Sequence, residues 1–361
     1  MATSRVYTYT PLNQANRWIR LVELQPATTS DVFELEVRTV SLAECPSYTA
    51  VSYEWGSDQT FRTVLLDGKE FNVRENLWNF LHTMRLDGRW RLFWIDAICI
   101  DQSNTLERSH QVNQMGQIYT QADLVVIWLG NSDTSSDTAI EYITDEAFLH
   151  SQSEPEPTII YLRLIHALRD FFDRPYWSRV WIIQELMLAR DIVFFSGQKN
   201  FTWHQISSTR KRSKDFNHPE RNHLWDAYTY TVGSPAWLMI GQKTLWEALP
   251  EGEKDFPLLE LFETYKYHKC SDPRDHVYGL LGLAGDNIVQ PDYTISAEDL
   301  YFVVLQTIEK APQSRKSPNF QSAISALRDL LLPNHGMSLL PKNSRDETSQ
   351  RLRQRIFTDR H

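Results

Sequence analysis

The sequence predicts an α/β fold: a parallel-sheet, βα-repeating core with an inserted β-hairpin and a helical C-terminal extension. Three observations carry this. Short apolar runs near 49–55, 91–96, 124–129 and 191–196 alternate with stretches of helical period, the order expected of a parallel sheet. An Asp67-Gly68 pair between two alternating segments is a strong short-range hairpin signal. The chain of 361 residues is 42% hydrophobic with 12 Trp, 15 Tyr and 17 Phe, enough bulky side chain to fill a large core.

In chain order, residues 1–47 form a strand-containing lead-in, with strands at Ile19–Glu23 and Val32–Val40 separated by a Pro/Thr/Ser/Asp turn stretch. The core is expected over 48–197. Tyr48–Trp55 reads as a strand stopped by Gly56, Thr63–Val73 as the hairpin, and Asn76–Arg85 as a helix. Arg91–Ile95 is a short apolar strand running into Asp96, and Glu107–Thr120 places Val112, Met115 and Tyr119 on one helical face. Leu124–Leu129 closes at Gly130. Helices follow at about 138–149 and 158–172 around a Ser-Glu-Pro-Glu-Pro breaker, then one from Pro175 to about Ala189, then the strand Ile192–Ser196 before Gly197.

Residues 198–310 read as a helical extension packed on the core, with starts at Ser271-Asp272-Pro273 and after Pro291-Asp292-Tyr293. Residues 311–361 read as a mobile basic tail, dispensable for the core, holding one helical patch near Ala323–Leu332. Right-handed crossovers would place helices on both faces of the sheet, and ligand-binding loops at the strands' carboxyl ends.

Composition excludes several function classes. The net charge of -9 gives no clustered cation for nucleic acid or an anionic membrane. The three cysteines, Cys45, Cys99 and Cys270, are far apart and fit neither a disulfide framework nor a zinc site, as expected of reduced thiols. No leader-like N-terminus or membrane-length apolar run is present, so a cytoplasmic protein is expected. The glycine spacings match no dinucleotide or Walker fingerprint, and no kinase motif set appears. His268, Cys270 and His276 fit no standard metal spacing, so no metal and no bound cofactor are expected.

Five segments occur in a characteristic order: Tyr48–Gly56, Leu92–Gln102, Glu107–Tyr119 with Val125–Gly130, Arg174–Glu185, and Asp272–Gly282. Together they closely resemble the fungal heterokaryon incompatibility (HET) domain. Glu54 and Asp101 depart from the family's commoner residues, which alters the local charge of any pocket. HET domains are in turn similar in plan to TIR domains, implying a TIR/flavodoxin-like sheet. The segment Trp177–Glu185 resembles the TIR helix whose Trp and Glu lie beside the nucleotide. That resemblance singles out Trp181 and Glu185, with NAD as candidate substrate.

From the residues themselves, Glu185 carries most weight, because Val180–Leu188 is apolar around most of its circumference. A carboxylate there must pair with a cation or have a raised pKa. The functional reading is catalysis; the structural one is an ion pair with Arg174 or Arg274. Asp96 follows its strand where ligand-contacting side chains occur, or else caps the next helix; Asp101 suits a turn or cap. Tyr53 and Trp55 could stack on a planar base, with Gly56 allowing close backbone approach, or simply fill the core. Cys99 reads as a small buried hydrophobe. Arg174, Pro175 and Trp177 form the start of the fourth motif, while Asp272, Arg274 and Asp275 read as cap and clamp.

The resemblance implies an effector of self/non-self recognition and regulated cell death, cleaving NAD at the nicotinamide–ribose bond. The alternative is a non-enzymatic signalling scaffold acting by homotypic assembly. Expected partners are a second copy or another incompatibility or NLR-type protein. A concave pocket joining Glu185 to Tyr53, Trp55 and Asp96 would favour the enzyme, and full burial against an arginine the scaffold.

Overall fold

The computed structural model describes residues 5–14, 16–26, 32–148, 157–212, 233–254, 256–285, 289–310 and 320–332. Nine strands form one sheet: β1 Trp18–Leu24, β2 Glu34–Ser41, β3 Thr49–Tyr53, β4 Phe61–Leu66, β5 Lys69–Arg74, β6 Leu92–Trp94, β7 Leu124–Trp128, β8 Ile192–Ser196 and β9 Lys199–Thr202. Their order is β5-β4-β2-β1-β6-β3-β7-β8-β9. Up to β8 the helices are α1 Glu75–Asp87, α2 Asp96–Cys99, α3 Thr105–Val112, α4 Met115–Gln121, α5 Thr134–Thr144, α6 Pro157–Phe172 and α7 Ile182–Met187. Beyond β9 come α8 Trp203–Arg212, α9 Pro235–Ala248, α10 Leu258–Tyr265, α11 Asp275–Tyr278, α12 Ala297–Lys310 and α13 Phe320–Leu331.

The four expected core strands are parallel. β3 pairs with β6 (Thr49 opposite Phe93) and with β7 (Thr49 opposite Leu124 through Tyr53 opposite Trp128), and β7 pairs with β8 (Val125 opposite Ile192). All five residues of both β3 and β7 are buried, as central strands covered on both faces require. The chain leaves β3 to form β6 on one side and returns to form β7 on the other. That reversal creates a switch point at the carboxyl end of β3.

Around this quartet the sheet is mixed rather than parallel throughout. β1 runs antiparallel to both β6 and β2, and β9 antiparallel to β8. The lead-in strands are therefore interior members of the sheet. Beneath them Arg20, 1% exposed, is anchored by Glu107, 2% exposed, with Nη1 and Nη2 at 2.5 and 3.0 Å from the carboxylate. The Asp67-Gly68 hairpin forms as expected, with both residues at positive φ. It does not stand apart from the sheet, because β4 pairs parallel with β2 and extends the edge.

Two expected long helices are broken. The stretch 107–120 divides into α3 and α4. The stretch from Pro175 begins as a 3-10 turn over Pro175–Ser178, becomes extended at Arg179 (φ -77°, ψ 140°), and resumes as α7. Backbone pairing explains the second break: Lys269 donates to the Ser178 carbonyl (2.6 Å) and Val180 donates to the Lys269 carbonyl (3.0 Å). Those groups cannot also serve a continuous helix.

The extension after β9 is helical. The tail divides differently from the expectation. Residues 311–319 and 333–361 lie outside the described residues, but α13 packs on α10 and α12 with Ala323, Leu327 and Leu331 buried. α13, whose four-residue apolar spacing marks a face to be covered, thus makes packing contacts beyond Lys310 that the expectation of a mobile tail did not include. Among the described residues, no helix is long and apolar enough to cross a membrane.

Candidate functional site

The site is built at the carboxyl edge of β3 and β6. Ser52 and Tyr53 end β3, Trp55 lies two residues beyond, and Asp96 opens α2 just after β6. Alternation along β3 sends Ser52 to the sheet face covered by α7, where its hydroxyl donates to Glu185 Oε2 and lies 2.8 Å from the Tyr176 hydroxyl. Tyr119, from α4, donates to the Val51 carbonyl at 3.0 Å and also faces the Glu185 carboxyl. Glu185 is 3% exposed.

The cation of the cluster is Arg179. Its extended backbone, a product of the bridge to Lys269, lets the guanidinium donate to the Tyr53 carbonyl. Its charge pulls down the pKa of both Asp96 and Glu185. Arg174 and Arg274, the partners considered from sequence, are engaged elsewhere. Arg174 holds the ends of β7 and β8 through the Leu129 carbonyl (2.7 Å) and Ser196 Oγ (2.9 Å). Arg274 is locked to Asp272 (2.6 Å) and to the carbonyls of Tyr293 and Ile295.

Asp96, half-buried, accepts from Trp55 Nε1 (2.7 Å), from the Ala97 amide (2.7 Å) and from the Tyr53 hydroxyl. Arg74 stacks over the Trp55 ring at 5.2 Å and donates to the Gly56 carbonyl (2.8 Å). Gly56 takes φ +73°, which a side chain would strain, and a Cβ there would meet Asn76 at 3.3 Å. Asp101 closes a turn by accepting from Ser103.

Electrostatics follow from enclosure. Burial pushes Glu185 up to about 7, against the pull of Arg179 and Ser52 and with a further push from Asp96. Burial likewise raises Asp96 and drives Tyr53 well above its ordinary range. A carboxyl that titrates near neutrality, joined to a Ser52–Tyr176 hydroxyl pair, can accept or release a proton without bulk water. Burial pushes the Cys99 thiol up to about 12, consistent with an inert core residue.

The structure thus brings together Tyr53, Trp55, Asp96 and Glu185. It does not bring Trp181 to them: its indole donates to Asp275 Oδ2 at 3.1 Å, in the C-terminal extension. Trp177 is buried and donates to the Phe171 carbonyl at 3.2 Å. Arg179, Ser52, Tyr119 and Tyr176 were missed as site residues. Arg179 and Tyr176 lie inside the Arg174–Glu185 motif, so their place in that motif was the available signal.

Residues 48–185 match the family described as heterokaryon incompatibility protein (HET). That stretch of the chain is similar to a HET domain. It is 29% identical over 351 residues, covering 80% of this chain, to heterokaryon incompatibility protein 6, OR allele, of Neurospora crassa. It is 26% identical over 159 residues, covering 43% of this chain, to vegetative incompatibility protein HET-E-1 of Podospora anserina. The chain spans 51% of the first relative's length and 10% of the second's. No solved structure matches. The matched HET region contains every member of the Glu185 cluster and ends at Glu185 itself.

Proposed function

We propose that this HET-like domain serves fungal self/non-self recognition and regulated cell death, with the cluster at the carboxyl edge of β3 as its working site. The two relatives are named for incompatibility, which supports the biological role. The chemical reading rests on one observation: Tyr53, Trp55, Asp96, Arg179 and Glu185 converge where switch-point sheets bind ligands. The finer proposal is cleavage of NAD at the nicotinamide–ribose bond, on a TIR-like plan. Nicotinamide leaves a cationic ring as a neutral molecule, so no general acid is needed. An ionised Glu185 would steady the oxocarbenium charge, and Trp55 would offer a flat face.

The second reading is a non-enzymatic domain acting by self-association or by engaging another incompatibility or NLR-type protein. Its specific support is that Glu185 is fully buried against Arg179 and answered internally by Ser52 and Tyr119, the arrangement expected of the scaffold rather than of an open pocket. The test compares purified, concentrated wild type and Glu185→Gln for nicotinamide release from NAD, alongside thermal melting. The enzyme reading expects a loss of about 10²–10³-fold with melting retained. Wild-type inactivity, or equal activity in the variant, removes that reading, and sedimentation then asks whether the domain assembles.

A further inference from the structure

The HET match stops at Glu185, yet the helix carrying that residue is held largely by chain that comes later. α7 has six residues, far too few to be stable in isolation. Its approach is pinned by the backbone pair between Lys269 and Ser178–Val180. Its side is pinned by Asp275, which accepts from the Trp181 indole and, at 2.6 Å, from the Tyr293 hydroxyl. Gly282 packs closely on this helix and on α4: a Cβ there would lie 2.5 Å from Gln184 Oε1 and 3.2 Å from the Gly116 backbone. The far end is capped by buried Lys243, whose ammonium donates to the Met187 and Ala189 carbonyls at 3.1 and 2.9 Å.

We propose that the segment Lys269–Gly282 completes the working site from outside the matched domain, with Asp275 a positioning residue that acts through Trp181 to keep Glu185 in its enclosed seat. Trp181 and Glu185 are one turn apart, and the Glu185 amide faces the Trp181 carbonyl at 3.4 Å, so displacement of the indole is transmitted to the carboxyl. Asp275 is itself enclosed: burial lifts it to about 6, Asp272 raises it further, and Tyr293, Trp181 and Arg108 pull it down. Arg108 lies over the Tyr293 ring at 3.7 Å, bracing the acceptor's partner from α3. The groups acting on Glu185 are different ones, Arg179, Asp96, Ser52 and Tyr119. A change made at Asp275 therefore reaches Glu185 through structure rather than through shared charge.

This rests on the reading of the Glu185 cluster as the working site, and its test does not use cleavage. Stability of the full chain is measured against pH with and without the Glu185→Gln substitution, and the difference curve reports where Glu185 titrates. The pair of curves is repeated in wild type, Asp275→Ala, Trp181→Phe and Asp275→Asn. Loss of the tether lets water reach the carboxyl. The folded-state titration midpoint of about 7, where the difference curve levels off, is then expected to fall by about one unit or more in Asp275→Ala and Trp181→Phe. Asp275→Asn, which keeps an oxygen for the indole, should restore it. If Asp275→Ala does not fold, Trp181→Phe, which removes only the indole donor and part of a ring, decides. A lower melting temperature with the midpoint unmoved makes Asp275 a local clamp and overturns the proposal. A moved midpoint in a chain that never cleaves NAD leaves the coupling standing and removes only the enzymatic reading.

Discussion

Glu185 sits at the crossing of two opposed requirements. Enclosure favours its neutral form, and the neighbouring Arg179 and Ser52 favour the charged one, with enclosure winning by enough to lift it to about 7 from an ordinary 4.5. Because the folded value lies above the unfolded one, the native state holds the extra proton between them. Its contribution is fully present below pH 4.5 and is lost as pH rises to about 7. Wild type should therefore lose stability relative to Glu185→Gln across that interval, measured by urea unfolding at a series of pH values. A flat difference would show that the carboxyl is not enclosed as described. The comparison is needed because burial depresses His268 to about 4, a group whose contribution is lost as pH falls from 6.5. Those opposite slopes overlap in the raw curve. The apolar setting of Glu185 was legible in Val180–Leu188. Its partner was not, because Arg179 reaches the cluster only through an extended residue imposed by Lys269, far later in the chain.

At the scale of elements, local pattern located the strands well and helix continuity poorly. β7 is a continuous apolar run, β8 is apolar up to Ser196, and β3 is interrupted only by Ser52 after its opening Thr49, with glycines soon after each strand and their ladder partners drawn from neighbouring strands. The helix expected after Pro175 fails because its amides and carbonyls are claimed by a remote strand-like contact, which no local period reveals. The same remote segment makes a testable glycine contact. A Cβ on Gly116, inside α4, would lie 3.0 Å from the Gly282 backbone and 3.5 Å from Leu188. Helix propensity alone favours alanine there by about 1 kcal/mol. Overpacking against backbone typically costs about 1–3 kcal/mol and cannot be relieved by a side-chain rotation. Gly116→Ala should thus destabilise the protein, read as a lower urea midpoint at unchanged slope. A midpoint at or above wild type would mean that α4 and the Gly282 turn are not in contact.

At the scale of the whole molecule, the parallel quartet was readable because its alternation with helices is a property of chain order. The mixed flanks were not, since nothing in an alternating strand states which neighbour it will choose. Residues beyond 185 then act as a second layer of constraint on the HET-like domain. α9 caps α7 through Lys243, the Lys269–Gly282 segment grips it, and α13 packs on both α10 and α12. α13 contributes two leucines, Leu327 and Leu331, at 0% and 2% exposure, each stabilising by about 1.5–3 kcal/mol relative to exposure before ordering costs. A chain ended after Lys310 exposes the faces of α10 and α12 that these leucines cover. A chain ended after Leu332 keeps every contact described for α13. The first should melt at least ~3 °C below the second, a gap that corresponds to roughly 2 kcal/mol in a protein of this size. Equal melting of the two would show that α13 adds nothing to the fold, returning the boundary of the stable core to α12.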